Sequence, residues 1–214
     1  MTGVEKFVGR EKELQEMYAA LLSNGGRRSV VLHGLGGIGK TQLAVAYARR
    51  HSNAYSAIFW LNMQDSSSAR QSLILFARRV LQYHPCAPYL SQIDLAGSPD
   101  EIAAAVIAWL SMVDNTRWLA ICDNYDNPRI GGNTDSAAVD IRDFLPQAFQ
   151  GSVIVTTRSS LVKIGRSMPV RKLVKVQESV EILSNTSNRS LSANGECVLG
   201  SVCAVLILCQ IPMY

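Results

Sequence analysis

Cysteine pairs, runs of like charge and an apolar N-terminal stretch are all missing from this 214-residue sequence. Its five cysteines, Cys86, Cys122, Cys197, Cys203 and Cys209, are odd in number, and none stands in a C-x-x-C pair. That argues against both a zinc site and a disulfide framework. The first 28 residues are polar and amphipathic, so no secretory signal peptide is expected. A reducing, cytoplasmic location follows as the default. Asn185-Thr186-Ser187 and Asn188-Arg189-Ser190 then match the N-glycosylation pattern by chance. The net charge is only +4, and Arg27-Arg28, Arg49-Arg50 and Arg78-Arg79 are isolated pairs. This excludes a strongly basic surface, and no nucleic-acid partner is expected. Apolar residues make up 48% of the chain, which excludes global disorder. The length suits one α/β domain with a real core.

What the sequence does contain is a phosphate-loop pattern. Val30-Val31-Leu32 is a short apolar run. Gly34-Leu35-Gly36-Gly37-Ile38-Gly39-Lys40-Thr41 follows and satisfies G-x-x-x-x-G-K-[ST]. Each part has a physical job. The glycines let successive backbone N–H groups turn onto an anion. Lys40 carries a mobile positive charge to the β- and γ-phosphates, and the Thr41 hydroxyl can ligate Mg²⁺. Leu43, Ala44, Ala46, Tyr47 and Ala48 then read as a helix whose positive end faces the phosphates.

Along the chain, Leu14, Met17, Tyr18, Leu21 and Leu22 make one face of a first helix, ended by Ser23-Asn24-Gly25-Gly26. Ala57–Leu61 reads as a buried strand. Ser66-Ser67-Ser68 offers an N-cap to a helix carrying Leu73, Ile74, Phe76, Ala77, Val80 and Leu81. Residues 84–98 read as a surface loop. Pro99 opens the next helix, with Ile102, Val106, Trp109 and Leu110 inward. Trp118–Asp123 is a continuous apolar run ending in an acid, as in a central parallel strand. Ligands sit beyond the carboxyl ends of such strands, so Asp123 meets the glycine loop as a Walker B acid. Residues 124–137 read as a loop, and Ala138–Phe144 as a short helix. Gly151–Arg158 is the next buried strand, which brings Thr157 and Arg158 to the same edge. Arg158 there either meets a γ-phosphate or is a surface arginine after a strand. A fifth strand is expected over Val170–Val176 and a helix over Glu178–Leu183.

Phe7-Val8-Gly9-Arg10-Glu11-Lys12-Glu13, Gly34–Thr41, Leu119–Asp123 and Gly151–Arg158, in this order, resemble the NB-ARC domain. NB-ARC domains are the nucleotide switches of the STAND class of P-loop ATPases, and the likeness is to the fungal, NLR-like branch. It covers about residues 4–190. It implies a P-loop NTPase fold, a three-layer αβα sandwich with a five-stranded parallel sheet in the order 5-1-4-3-2. It implies an N-terminal segment over residues 1–28, a nucleotide-binding core over 29–184 and an atypical tail over 185–214. Val8, Gly9 and Arg10 match the hhGRExE segment, which lies against adenine and ribose. Gly34, Gly36, Gly37, Ile38, Gly39, Lys40, Thr41 and Gln42 would hold the nucleotide. Thr41 and Asp123 would serve Mg²⁺. Lys40, Asp123 and Arg158, the last in the sensor position, would act on the phosphates. Such domains hold ADP at rest, exchange it for ATP and then oligomerise, usually in cell-death or non-self recognition. Expected partners are adenine nucleotide, further copies of the chain and full-length relatives.

Adenine is favoured over guanine because no N-K-x-D segment is found. Many relatives carry a second acid after the Walker B strand. Here that position is Asn124, with Asp126 two residues on. Asn cannot take a proton from water, so slow hydrolysis at most is expected. The helical segment with its Gly-Leu-Pro-Leu motif and the winged-helix segment are not found, so the chain reads as truncated after the core. Two rivals stand beside the switch: a competent ATPase, and a truncated interaction protein that regulates full-length relatives. The tail from Cys197 to Leu208 is apolar but short of the roughly 17 residues a spanning helix needs. A membrane role is not expected.

Overall fold

Residues 28–33, 57–62, 118–123 and 152–157 are six-residue runs rich in Val, Ile, Leu and aromatics, and each forms a strand. The computed structural model describes residues 9–22, 28–131, 133–147 and 150–172. In chain order its elements are α1 (Glu11–Leu21), β1 (Arg28–His33), α2 (Lys40–Arg50), β2 (Ala57–Asn62) and α3 (Ser66–Tyr83). They continue with α4 (Pro99–Leu110), β3 (Trp118–Asp123), β4 (Ser152–Thr157) and β5 (Arg166–Pro169). Short 3₁₀ turns occupy Ser52–Ala54 and Ile141–Phe144.

The five strands form one sheet in the order β2-β3-β4-β1-β5, and every pairing is parallel. Read from the other edge this is the expected 5-1-4-3-2. β3 and β4 are buried along their whole length because helices cover both faces. Alternate residues feed two separate cores. Val31, Phe59, Leu61, Ala120, Cys122, Val153 and Val155 pack on the side of α3 and α4. Val30, Leu32, Leu119, Ile121 and Ile154 pack with α1 and α2 on the other side. Each fully buried Val, Leu, Ile or Phe side chain among them contributes roughly 1.5–3 kcal/mol. Trp118 lies under the first core, donating Nε1–H to Leu110 O at 3.1 Å. Among the described residues no helix is long and apolar enough to cross a membrane.

Several local expectations are corrected. In α1 only Leu14, Met17 and Leu21 are buried, whereas Tyr18 and Leu22 are exposed. The N-cap of α3 is Asp65, not one of the serines, because its carboxylate accepts both the backbone N–H (2.7 Å) and the hydroxyl of Ser68 (2.9 Å). The helix expected over Ala138–Phe144 is only the turn Ile141–Phe144. Val139 is instead drawn into a bridge with Pro128, and Asp140 caps what remains. Within the expected loop 84–98, Ala87 and Leu90 are buried against the first core. The fifth strand comes earlier than expected, at Arg166–Pro169, where it pairs with Val30–His33. Val170 extends that pairing by one bond, its N–H donating to His33 O at 2.8 Å. Residues 173–176, the expected helix Glu178–Leu183 and the tail lie outside the described residues.

Candidate functional site

β1, β3 and β4 are adjacent and parallel, so their carboxyl ends open on one edge of the sheet. The glycine loop leaves β1 there. Gly34 has φ +148°, and a Cβ on it would lie 2.6 Å from Val170 O, where the chain leaves β5. Close backbone approach thus requires glycine at this position. Gly37 and Gly39 are left-handed, at φ +73° and +92°. Nothing lies within 4 Å of a Cβ built on either, so conformation rather than crowding selects them. Among the described residues no backbone acceptor meets the N–H of Gly36, Gly37 or Gly39. α2 starts at Lys40 with no acid in its first turn, so its positive end is not neutralised locally. Gln42 lies exposed on that turn.

Lys40 is only 9% exposed. Its ammonium lies across the loop, donating to Gly34 O at 2.9 Å and Leu35 O at 2.8 Å. Burial pushes its pKa below the usual lysine value. Asp126 and Asp123 oppose that shift, and Arg158 adds to it. An anion on the loop would hold the proton on Lys40.

The Thr41 hydroxyl donates to Asp123 Oδ1 at 2.9 Å. Thr156, at the end of β4, donates its own hydroxyl to the same oxygen and accepts the N–H of Asn124 at 3.2 Å. Three elements thus meet on one carboxylate. Thr157, the next residue at this edge, does not share that face: its hydroxyl accepts the N–H of Ser159 at 3.0 Å. Side chains alternate along a strand, so adjacent threonines cannot share a face. One carboxylate and one hydroxyl form a hard oxygen set that suits Mg²⁺, an ion that draws its other ligands from phosphate and water. Among the described residues no group of three or more His, Cys, Asp or Glu side chains converges to hold a metal by itself.

Asn124 is left-handed (φ 60°), and its amide reaches Asn62 Oδ1 at 3.5 Å. Asp126 turns back to Arg158, accepting its backbone N–H at 2.7 Å and pairing with Nε at 2.8 Å. Arg158 lies beside the loop, its Nε 3.9 Å from a Cβ built on Gly36.

Arg10 is placed behind the loop. Gly9 and Arg10 are both left-handed, at φ 77° and 57°, a rare conformation for arginine. The Arg10 guanidinium donates to Ile38 O at 2.9 Å, Arg171 O at 3.1 Å and Glu13 at 3.3 Å. It therefore joins the glycine loop to the chain leaving β5. Val8 lies outside the described residues. Sequence reasoning missed Thr156 and the grip of Asp126 on Arg158. The available signal was the polar end of an otherwise apolar strand.

The AAA ATPase domain family matches residues 6–159. A nucleotide-binding leucine-rich repeat (NLR)-like protein of the fungus Hyaloscypha variabilis is 28% identical over 189 residues, covering 82% of this chain. The chain spans only 18% of that relative's length. Among solved structures, Cdc6p from Pyrobaculum aerophilum superposes with a TM-score of 0.53 at 13% identity, over 86% of this chain and 51% of its own. A Walker-type ATPase of Pyrococcus abyssi superposes with a TM-score of 0.56 at 14% identity, over 89% of this chain and 62% of its own. These two share the fold. A family match that takes in α1, the glycine loop, Asp123 and Arg158 spans well over half of the sequence, and the chain belongs to the AAA ATPase domain family.

Proposed function

We propose that this chain is an adenine-nucleotide switch of the NB-ARC type, holding ADP at rest and exchanging it for ATP. The observation that carries the reading is the meeting of Lys40, Thr41 and Asp123 beside a glycine loop at the carboxyl edge of the sheet. Loop N–H groups and Lys40 would bind the phosphates, and Arg158 would meet a terminal phosphate. Thr41 and Asp123 would hold Mg²⁺, which when bound neutralises charge on the phosphates. Adenine is favoured by the match of Val8, Gly9 and Arg10 to the hhGRExE segment.

Hydrolysis is slow in this reading. Asn124 occupies the position after Asp123, and an amide does not accept a proton from water. Both oxygens of Asp126 are engaged by Arg158. The likeness to an NLR-like protein supports a signalling role, with copies of the chain or longer relatives as partners; the cytoplasm is the location this reading assigns.

The test is to denature the purified protein and identify released nucleotide by chromatography, with Lys40→Ala beside it. Near-stoichiometric ADP from the parent and none from the variant is expected. A parent that is empty and takes up no Mg-ATP, or a variant that binds as tightly, overturns the reading.

A further inference from the structure

Asp126 belongs to neither phosphate motif, yet it holds one cation of the site, Arg158, and its charge acts on the other, Lys40. Its place is built by the turn after β3. Tyr125 is buried there, with its hydroxyl donating to Val139 O at 3.0 Å and its backbone N–H to Thr156 O at 2.9 Å. The Asp126 N–H closes the turn on Asn124 O at 2.8 Å. The carboxylate is thereby pressed against the chain leaving β4. Oδ1 accepts the backbone N–H of Arg158 at 2.7 Å, and Oδ2 pairs with its Nε at 2.8 Å. One carboxylate thus holds one arginine at both main chain and side chain. The charge of the same carboxylate opposes the burial that lowers the Lys40 pKa.

The geometry of this grip is selective. A guanidinium has five N–H donors in one plane, one on Nε and four on its terminal nitrogens. The ion pair at Nε and the hydrogen bond from the backbone N–H tether that side chain beside the loop, and among the described residues no acceptor takes its four terminal N–H groups. The Arg158 side chain is 72% exposed, so a ligand can reach them. The Nε from which they branch stands 3.9 Å from a Cβ built on Gly36, at the loop where phosphates would lie. An unheld arginine on the surface would have to be ordered by the ligand itself.

We propose that Asp126 is a positioning residue that aims the terminal nitrogens of Arg158 at the last phosphate of a nucleoside triphosphate, and so sets the preference for triphosphate over diphosphate. The inference rests on the nucleotide-site reading given above. It assigns Asp126 no contact with nucleotide or metal.

The experiment titrates the full chain with ADP and with a non-hydrolysable ATP analogue, both with Mg²⁺. Asp126→Ala, Asp126→Asn, Arg158→Ala and the Asp126→Ala/Arg158→Ala double variant are compared with the parent. The readout is the ratio of the two affinities. Losing one well-aimed charge-assisted bond lowers that ratio about tenfold in Asp126→Ala and in Arg158→Ala. The double variant falls no further, since both changes remove the same interaction. Asp126→Asn keeps an acceptor for the backbone N–H and falls between; it carries the test if Asp126→Ala does not fold. A ratio that stays constant while both affinities drop together makes Asp126 a scaffold only, and overturns the proposal. A raised ratio in Asp126→Ala overturns it as well, because Asp126 then competes with the phosphate for Arg158. So does an unchanged ratio in Arg158→Ala. Lys40→Ala separates the two levels: if it binds both nucleotides as tightly as the parent, the nucleotide-site reading itself has failed.

Discussion

Thr41 and Asp123 are 82 positions apart in the chain and share a hydrogen bond, Oγ1 to Oδ1 at 2.9 Å. Thr156 donates to the same carboxylate oxygen and is itself buried. Removing the carboxylate therefore does two things. It takes away an oxygen suited to Mg²⁺, and it leaves the buried Thr156 hydroxyl without its acceptor. An orphaned buried polar group costs about 1–3 kcal/mol. Asp123→Ala is expected to lower unfolding stability by that amount and to abolish the gain in nucleotide affinity on adding Mg²⁺. Denaturant melts and titrations with and without Mg²⁺ check both. A variant with undiminished Mg²⁺ dependence would remove Asp123 from the site.

Lys40 supplies a pH signature. Its pKa lies below 10.5, chiefly through burial. Phosphates on the loop would raise it, so the complex holds the proton more tightly than the free protein does. Binding then takes up a proton, and affinity falls as pH rises through the free-protein value. The fall is expected to begin below pH 10.5. Lys40→Arg stays charged throughout that range and should show no such fall, whatever its absolute affinity. Parallel slopes for parent and variant would contradict the assignment.

Gly151 precedes β4 with φ +75°, and a Cβ there would stand 2.3 Å from two atoms of the Trp118 ring. That ring has no room to yield. It is fully buried, tied to Leu110 O and 6.0 Å from the Phe59 ring centroid. Gly151→Ala combines a disfavoured backbone with overpacking and is expected to cost about 3 kcal/mol or more. Urea unfolding measures it. A loss under about 1 kcal/mol would mean that the sheet edge and Trp118 can shift apart.

His51 ends α2 with its ring 4.4 Å from Tyr18 and 4.7 Å from Tyr47, centroid to centroid. Burial first, then the charge of Arg50, holds its pKa below 6.5. The folded protein thus binds the proton less readily than the unfolded chain. Stability is unaffected by His51 well above pH 6.5, and it is lost as pH falls from 6.5 through the lowered folded value. His51→Phe should make the loss of stability between about pH 7 and pH 5 smaller than in the parent. Identical losses would show that His51 is not a source of the acid sensitivity.

The parts whose rule is local were legible in the chain alone. Val30–Leu32, Ala57–Leu61, Trp118–Cys122 and Val153–Val155 are apolar runs too short for helices, and all are strands. Lys40 and Thr41 follow from the spacing of one loop, and Asp123 from the acid that ends a buried strand. The strand order came from the NB-ARC resemblance, since periodicity says nothing about which strands are neighbours. Tertiary structure decided what depends on that order. β4 lies between β1 and β3, so Thr156 can donate to Asp123 and Asp126 can hold Arg158. Arg10 binds Ile38 O and Arg171 O because α1 and the exit from β5 flank the same loop. Asp65 rather than a serine caps α3, and the fifth strand sits at Arg166–Pro169, for a related reason. Several local choices were nearly equal in propensity, and hydrogen bonds made once the chain had packed separated them.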